Sequence, residues 1–333
     1  MFKFANVNLP RAGVLLACLL LSSATAAAQE KIKFSVGASS KTLGYAPLWV
    51  AWKHGFFEQQ GLDAPVILLR GTPGSVQALV AGSIYVSAAS PEAFIEVSER
   101  GLDTVLIGGV INGLSHFIMG GKNYRRFEDL RGATLGVSSL TSGTVTALKA
   151  ALKARGLEYP RDYKLLVVAG GSSANLAALS TGQIAATTLA VPLNFVAEEG
   201  GFNVIGRLID AIPDFQLTAL AARRAWAEKN RPLLVRFMKG MAVAMRWLYK
   251  NKEPAVEFLI NEMKLKPVHA RKGWEYYTEN RIWHPDGDLN HEGLKFNVQI
   301  YAEQSHARGP LPDPAKYVNT SYLKEALKEL GSR

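Results

Sequence analysis

Five short stretches carrying serine, threonine or glycine, and a sixth ending in proline, stand where apolar runs give way to helical patterns. They are "SSKTLGY" (39–45), "GTPGS" (71–75), "AASPE" (88–92), "SSLTSGT" (138–144), "GGSS" (170–173) and "LAVP" (189–192). Hydroxyls at such places donate hydrogen bonds. A helix beginning there adds unpaired N–H groups and a partial positive charge. Glycine lets the backbone come close to a ligand. Together these groups can hold a small polar or anionic molecule without a catalytic base.

The residue types needed for turnover do not form a pattern. There is no G-x-S-x-G elbow, no H-E-x-x-H, no P-loop and no G-x-G-x-x-G after a strand. The six histidines are scattered. "HPDGDLNHEG" (284–293) imitates the start of a calcium loop. However, His291 stands where that loop needs glycine, and Asn297 stands where it needs a bidentate glutamate. Asp288 or Asn290 is expected to cap the next helix instead. The sequence therefore predicts a binding protein that is not an enzyme and has no cofactor or metal.

These stretches must be positioned by strands and helices. "IKFSVGA" (32–38) predicts a strand, "APVILLRG" (64–71) a buried strand, "IYVSAAS" (84–90) and "TVLIGGV" (104–110) two more. Helices are predicted between them, with Pro47 and Pro91 in first turns and Gly61, Gly82 and Gly101 as stops. The same order then restarts at "ATLGVSS" (133–139), with "YKLLVVAGG" (163–171) as its buried strand. Ala78-Leu79-x-x-Gly82-x-Ile84 returns as Ala178-Leu179-x-x-Gly182-x-Ile184, and Pro91-x-x-Phe94 as Pro192-x-x-Phe195. Two α/β lobes of one plan, each with a mainly parallel sheet, follow from this alternation. In open α/β sheets ligands bind beyond the carboxyl ends of the strands, so a cleft between the lobes is expected. The chain should cross between lobes near 112–116 and near 213–218. Past Phe215 the pattern becomes helical. Leu234, Met238, Met241, Met245 and Leu248 share one face that should pack on a lobe, and Asn230 is placed to cap that helix.

The chain has 333 residues, 48% hydrophobic and 20% charged, which fits a globular protein of two lobes. Residues 1–28 read as a signal peptide: Lys3 and Arg11, then "GVLLACLLL", then small residues. Cleavage is expected after Ala28, with Ala26 as a second site. The only cysteine, Cys18, leaves with that segment, so no disulfide is available. An exported chain without disulfides suits the periplasm. Net charge is +10, and Lys3 and Arg11 carry two of those charges. The rest is scattered and reads as a solvated surface rather than a nucleic-acid footprint.

At this point the sequence resembles the periplasmic solute-binding proteins of ABC transporters for nitrate, sulfonates and taurine, with their thiamine-pyrimidine-precursor-binding relatives. "GYAPLWVAWKHGFFEQQGLD" (44–63), "ALVAGSIYVSAASPEA" (78–93), "FEDLRGATLGV" (127–137) and "PDGDLNHEGL" (285–294) carry the resemblance. It implies a two-lobed Venus-flytrap α/β fold whose C-terminal segment returns to the first lobe. Lobe one would be 30–113 plus 217–333, and lobe two 114–216. Ligand contacts would fall on Thr42, Gly44, Tyr45, Ser90, Ser139, Ser142, Gly143, Thr144 and Pro192. The partners implied are a small-molecule ligand and an inner-membrane ABC permease, with the binding protein a monomer. Lys41 and Arg70 lie near the first-lobe edge, while Glu92 would oppose a second negative charge. A polar, partly aromatic molecule or a monoanion (sulfonate-, nitrate- or carboxylate-like) is therefore expected rather than a dianion. A sensor for a membrane receptor would share this fold, and a secreted hydrolase is the other alternative.

Overall fold

The computed structural model describes residues 31–69, 71–140, 142–168, 170–306 and 309–331. The expected signal peptide and Arg70 lie outside them. In the first half come β1 (Ile32–Lys33), β2 (Val36–Ala38), α1 (Ala46–Lys53), β3 (Leu62–Asp63), β4 (Val66–Leu68), α2 (Gly71–Val80), β5 (Val86–Ala89), α3 (Pro91–Glu99) and β6 (Thr104–Asn112). The second series is β7 (His116–Gly120), β8 (Thr134–Val137), α4 (Gly143–Lys153), β9 (Lys164–Val167), α5 (Gly171–Ser180), β10 (Ala186–Ala190), α6 (Leu193–Glu199), β11 (Asn203–Arg207) and α7 (Leu208–Ala211). There follow β12 (Gln216–Arg223), α8 (Arg224–Lys229), α9 (Arg231–Lys250), α10 (Lys252–Met263), α11 (Pro267–Glu279), α12 (His291–Gln304) and α13 (Ser321–Gly331).

Two five-stranded sheets have the same plan. The first runs β4-β2-β5-β12-β6 and the second β9-β8-β10-β7-β11. In each, the first three strands are parallel and the fourth is antiparallel to both neighbours. In each sheet that fourth strand lies next to a crossing of the chain. β7 directly follows β6 yet joins the second sheet, and β12 follows the second series yet joins the first.

Several expectations need correction. The stretch 32–38 is two strands rather than one: β1 pairs with β3 in a separate ribbon and β2 enters the first sheet. β4 and β9 were expected to be buried, but both are edge strands, so Leu68 and Val167 are about half exposed. Each strand has a neighbour on one side only. Asn230 stands before α9, but its side chain donates back to the Trp226 carbonyl instead of capping the helix. Asn290 does cap: its Oδ1 accepts from the Gly293 amide at 2.8 Å.

The expected face of α9 is buried throughout, Met238 and Met245 completely. It packs against α1 and α13. Two helices of the C-terminal segment also touch residues of the second half. Phe296 of α12 meets Phe215 edge-on, and His269 of α11 bonds Glu199 of α6 at 2.7 Å.

The two crossings are tied together by one buried side chain. Gln216 Nε2 donates to the carbonyls of Ile111 and Thr218 and to Asn112 Oδ1, while its Oε1 accepts from the Asn290 amide. A fully buried amide needs such partners, because an unpaired one would keep its desolvation cost.

Candidate ligand-binding site

Where strands end, the chain turns toward one cavity of about 610 Å³. After β2 come Ser40, Lys41, Thr42 and Tyr45; after β4, Thr72; after β5, Ser90. These belong to the first series. The second series contributes Ser172 and Ser173 after β9, and Pro192 and Leu193 after β10. Ser115 and His116 come from the first crossing, and Leu217 and Thr218 from the second. Met263, Leu265 and Tyr277 of the C-terminal segment close one side. The volume falls in the range of about 300–1,000 Å³ typical of clefts for drug-sized organic ligands.

Local chemistry sets each wall. Gly170 and Gly171 have φ of +112° and +72°, a left-handed backbone that other residues adopt only with strain. They let the chain turn sharply from β9 into α5, and Ser172 Oγ then accepts from the Ala190 amide at 3.3 Å. Tyr45 stands just before α1, and its hydroxyl lies 2.6 Å from Ser39 Oγ and 3.3 Å from Thr218 Oγ1. Tyr277 donates to Ser115 Oγ at 2.8 Å. Burial pushes both phenols up from the usual tyrosine range, so both remain neutral donors.

His116 is the unusual group. Its Nδ1 is buried without a hydrogen-bond partner, and burial lowers its pKa to about 4. A neutral imidazole in a cleft wall can donate from one nitrogen and accept at the other. Lys41 is the single cation on the wall among the described residues. It is held 3.5 Å from Glu262 and lies over the Trp49 ring at 4.8 Å. The cleft can thus offer hydroxyls, a neutral imidazole and an apolar floor.

Of the nine residues expected to touch ligand, Thr42, Tyr45, Ser90 and Pro192 line this cavity. Gly44 lies just behind it: its carbonyl accepts from Trp283 Nε1 at 2.9 Å, and a Cβ there would come within 2.5 Å of Ile111 Cδ1. Its role in this structure is packing. Ser139, Ser142, Gly143 and Thr144 are not among the lining residues. Ser142 Oγ pairs with Thr144 Oγ1 at 3.0 Å, and a Cβ on Gly143 would come within 2.5 Å of the Phe215 ring. That helix mouth is covered by Phe215 and by Glu92 of the other lobe. The sequence reading missed His116, Ser115 and Thr218 as individual residues, although they lie in the stretches it marked as crossings. For Tyr277 the sequence carried no signal.

Two sheets of one plan, each with an antiparallel fourth strand next to a crossing of the chain, and with a cleft at the strand ends, define a periplasmic-binding-protein fold. The chain belongs to the NMT1/THI5-like family, whose model matches residues 43–255. A Brucella abortus protein named as a binding protein is 24% identical over 302 residues, covering 88% of this chain and 92% of that one. Among solved structures, the periplasmic aliphatic sulphonate-binding protein SsuA from Escherichia coli has a TM-score of 0.70 at 18% identity, over 88% of this chain and 99% of its own. The periplasmic nitrate-binding protein NrtA from Synechocystis PCC 6803 has a TM-score of 0.72 at 15% identity, over 91% and 90%. Among the described residues no helix is long and apolar enough to cross a membrane.

Proposed function

We propose that this protein is the solute-binding component of an ABC importer, working in the periplasm after export through residues 1–28. It takes a small organic solute into the cleft between lobes 30–113 plus 217–333 and 114–216 and hands it to a permease. The observation that carries this reading is the delivery of strand-end hydroxyls from both series to one cavity. Thr42, Tyr45, Ser90 and Pro192 are the sequence-derived contacts that the reading retains, joined by Ser115, His116, Thr218 and Tyr277. Family membership and the binding proteins among the relatives support it. The volume favours an organic molecule over a bare inorganic ion.

Binding without reaction is part of the proposal, since the described wall residues offer hydroxyls and a neutral imidazole but, among them, no nucleophile held against a base. Mass spectrometry of small molecules released from freshly purified protein should identify a solute. Readdition should raise the melting temperature, by the equivalent of about 2.7 kcal/mol at a hundredfold excess over Kd. Thr218→Val and Tyr45→Phe should weaken that effect. Recovery of a chemically altered solute, or equal binding by both variants, would defeat the reading.

A further inference from the structure

We propose that Ser115 and His116 act as uncharged hydrogen-bond donors to an acceptor on the solute, so that the cleft selects an uncharged carbonyl compound such as an amide. This rests on the reading of the cleft as the solute site. It keeps the polar, partly aromatic molecule expected from the sequence and sets aside the sulfonate-, nitrate- or carboxylate-like anion.

The argument begins with the donors that the wall has left over. Tyr277 donates to Ser115 Oγ at 2.8 Å, and the Tyr45 hydroxyl is shared between Ser39 and Thr218. Both phenols are therefore engaged within the wall. Ser115 accepts from Tyr277, which leaves its own proton without an acceptor among the described residues. Ser115 is deeply buried yet lines the cavity, so the cavity is where that acceptor can stand. His116 is next along the chain, at the start of β7, and lines the same cavity. Its Nδ1 is enclosed without a partner. A buried N–H with no acceptor is rarer than a bare acceptor atom, so the proton of the neutral ring belongs on Nε2. Nε2–H is then the second donor open to a solute.

The same enclosure keeps the ring uncharged when the cleft is filled. To become an imidazolium, His116 would need a second proton on Nδ1, where no described group accepts it. No charged group acts on the ring, and burial alone lowers its pKa to about 4. The described cation of the wall, Lys41, is engaged by Glu262 and Trp49. An anion would therefore exchange its water for two neutral donors and no counter-charge. A carbonyl oxygen has less water to lose and is matched by neutral donors. Leu43, Ile111, Leu217 and Met263 supply apolar wall for the rest of such a molecule.

The test uses full-length protein with isotope-labelled histidine, the His116 signal being assigned by its loss in His116→Gln. By NMR the ring should carry its proton on Nε2 at pH 7 and remain mainly neutral at pH 5. A proton on Nδ1, or an imidazolium at pH 5, overturns the proposal. The same protein is then titrated with benzamide and with benzoate, an anion of the same size, at millimolar concentration. Benzamide is expected to shift the His116 signal and to bind about tenfold more tightly than benzoate. His116→Phe, which keeps a ring and removes both nitrogens, should lose about tenfold in benzamide affinity, and His116→Gln, which restores a donor, should recover most of it, with circular dichroism as the folding control. Benzoate bound as tightly as benzamide, or a His116 signal that benzamide does not move, overturns the proposal. Leu217→Trp, which fills the cleft, separates this idea from the one beneath it. Benzamide binding that is lost in Leu217→Trp but unchanged in His116→Phe defeats the donor pair alone. Binding that survives in Leu217→Trp lies elsewhere, and the solute-site reading fails with it.

Discussion

His116 offers a quantitative test of how tightly the cleft wall is sealed. Its pKa is lowered from 6.5 to about 4 by burial. A lowered value means that the folded state holds the proton less firmly than the unfolded chain does. As pH falls through 6.5 the unfolded chain takes up the proton first, so stability is whole above that pH and is lost below it. At about 1.4 kcal/mol for each tenfold in proton affinity, the loss through this group is about 2 kcal/mol at pH 5 and ~3 kcal/mol at pH 4. Urea denaturation of wild type and His116→Gln at intervals from pH 7 to pH 4 measures it. His54 and His284 are also lowered by burial, and both proteins retain them, so the difference between the curves isolates His116. Relative to the variant, wild type should lose stability by the amounts given as pH falls. Parallel curves from pH 7 to pH 4 would mean that water reaches Nδ1 freely, and the argument for a sealed neutral imidazole would collapse.

Glu92 has the opposite sign. Its raised pKa means that ionisation costs stability, fully avoided below the unfolded value near 4.5 and incurred as pH rises through the folded value. Glu92→Gln should therefore melt higher than wild type at pH 7, with the advantage gone at pH 4 by differential scanning calorimetry. Tyr45→Phe removes a hydroxyl shared by Ser39 and Thr218 and should cost about 0.5–1.5 kcal/mol in chemical denaturation; no loss would show that water replaces it fully. In Gly293→Ala the added Cβ would lie 2.6 Å from the backbone of Phe215, which cannot rotate away, so a loss of about 1–3 kcal/mol is expected, and an unchanged melting temperature would contradict it. Met238→Ala empties a fully buried position on α9 and should cost about 2–5 kcal/mol in the same measurement.

The repeated plan was legible because it is local. Apolar runs stopped by glycine mark strands and helix ends whatever the tertiary structure, and the echo of Ala78–Ile84 in Ala178–Ile184 survives in α2 and α5. Edge position was not legible, because β4 and β9 have the same apolar runs as central strands and only their neighbours in the sheet make them borders. Thr42, Tyr45, Ser90 and Pro192 could be found because they follow strand ends directly. The mouth of α4 looked equally good in sequence. What covers it is Phe215, 72 residues beyond Gly143, together with Glu92 from the other lobe, and neither contact leaves a local mark. Tyr277 reaches the cleft from α11, whose sequence shows nothing that marks it as a cleft wall.

The central position of β12 has a consequence for the order in which the protein can be assembled during synthesis. β5 and β6 flank β12 in the finished sheet, yet they are made long before it. Between Asn112 and Gln216 the ribosome adds about a hundred residues, roughly 5–20 s at ordinary rates of about 5–20 residues per second. Until then β6 has no partner in its sheet, and a slot one strand wide separates it from β5. A chain ending at residue 215 is expected to leave the amides of β6 unprotected in hydrogen exchange, whereas one extended through Arg223 gains protection there; protection in the shorter chain would refute this. Any extended segment that occupies the slot early, from a chaperone or from a neighbouring nascent chain, holds the first lobe open by competing for a single strand.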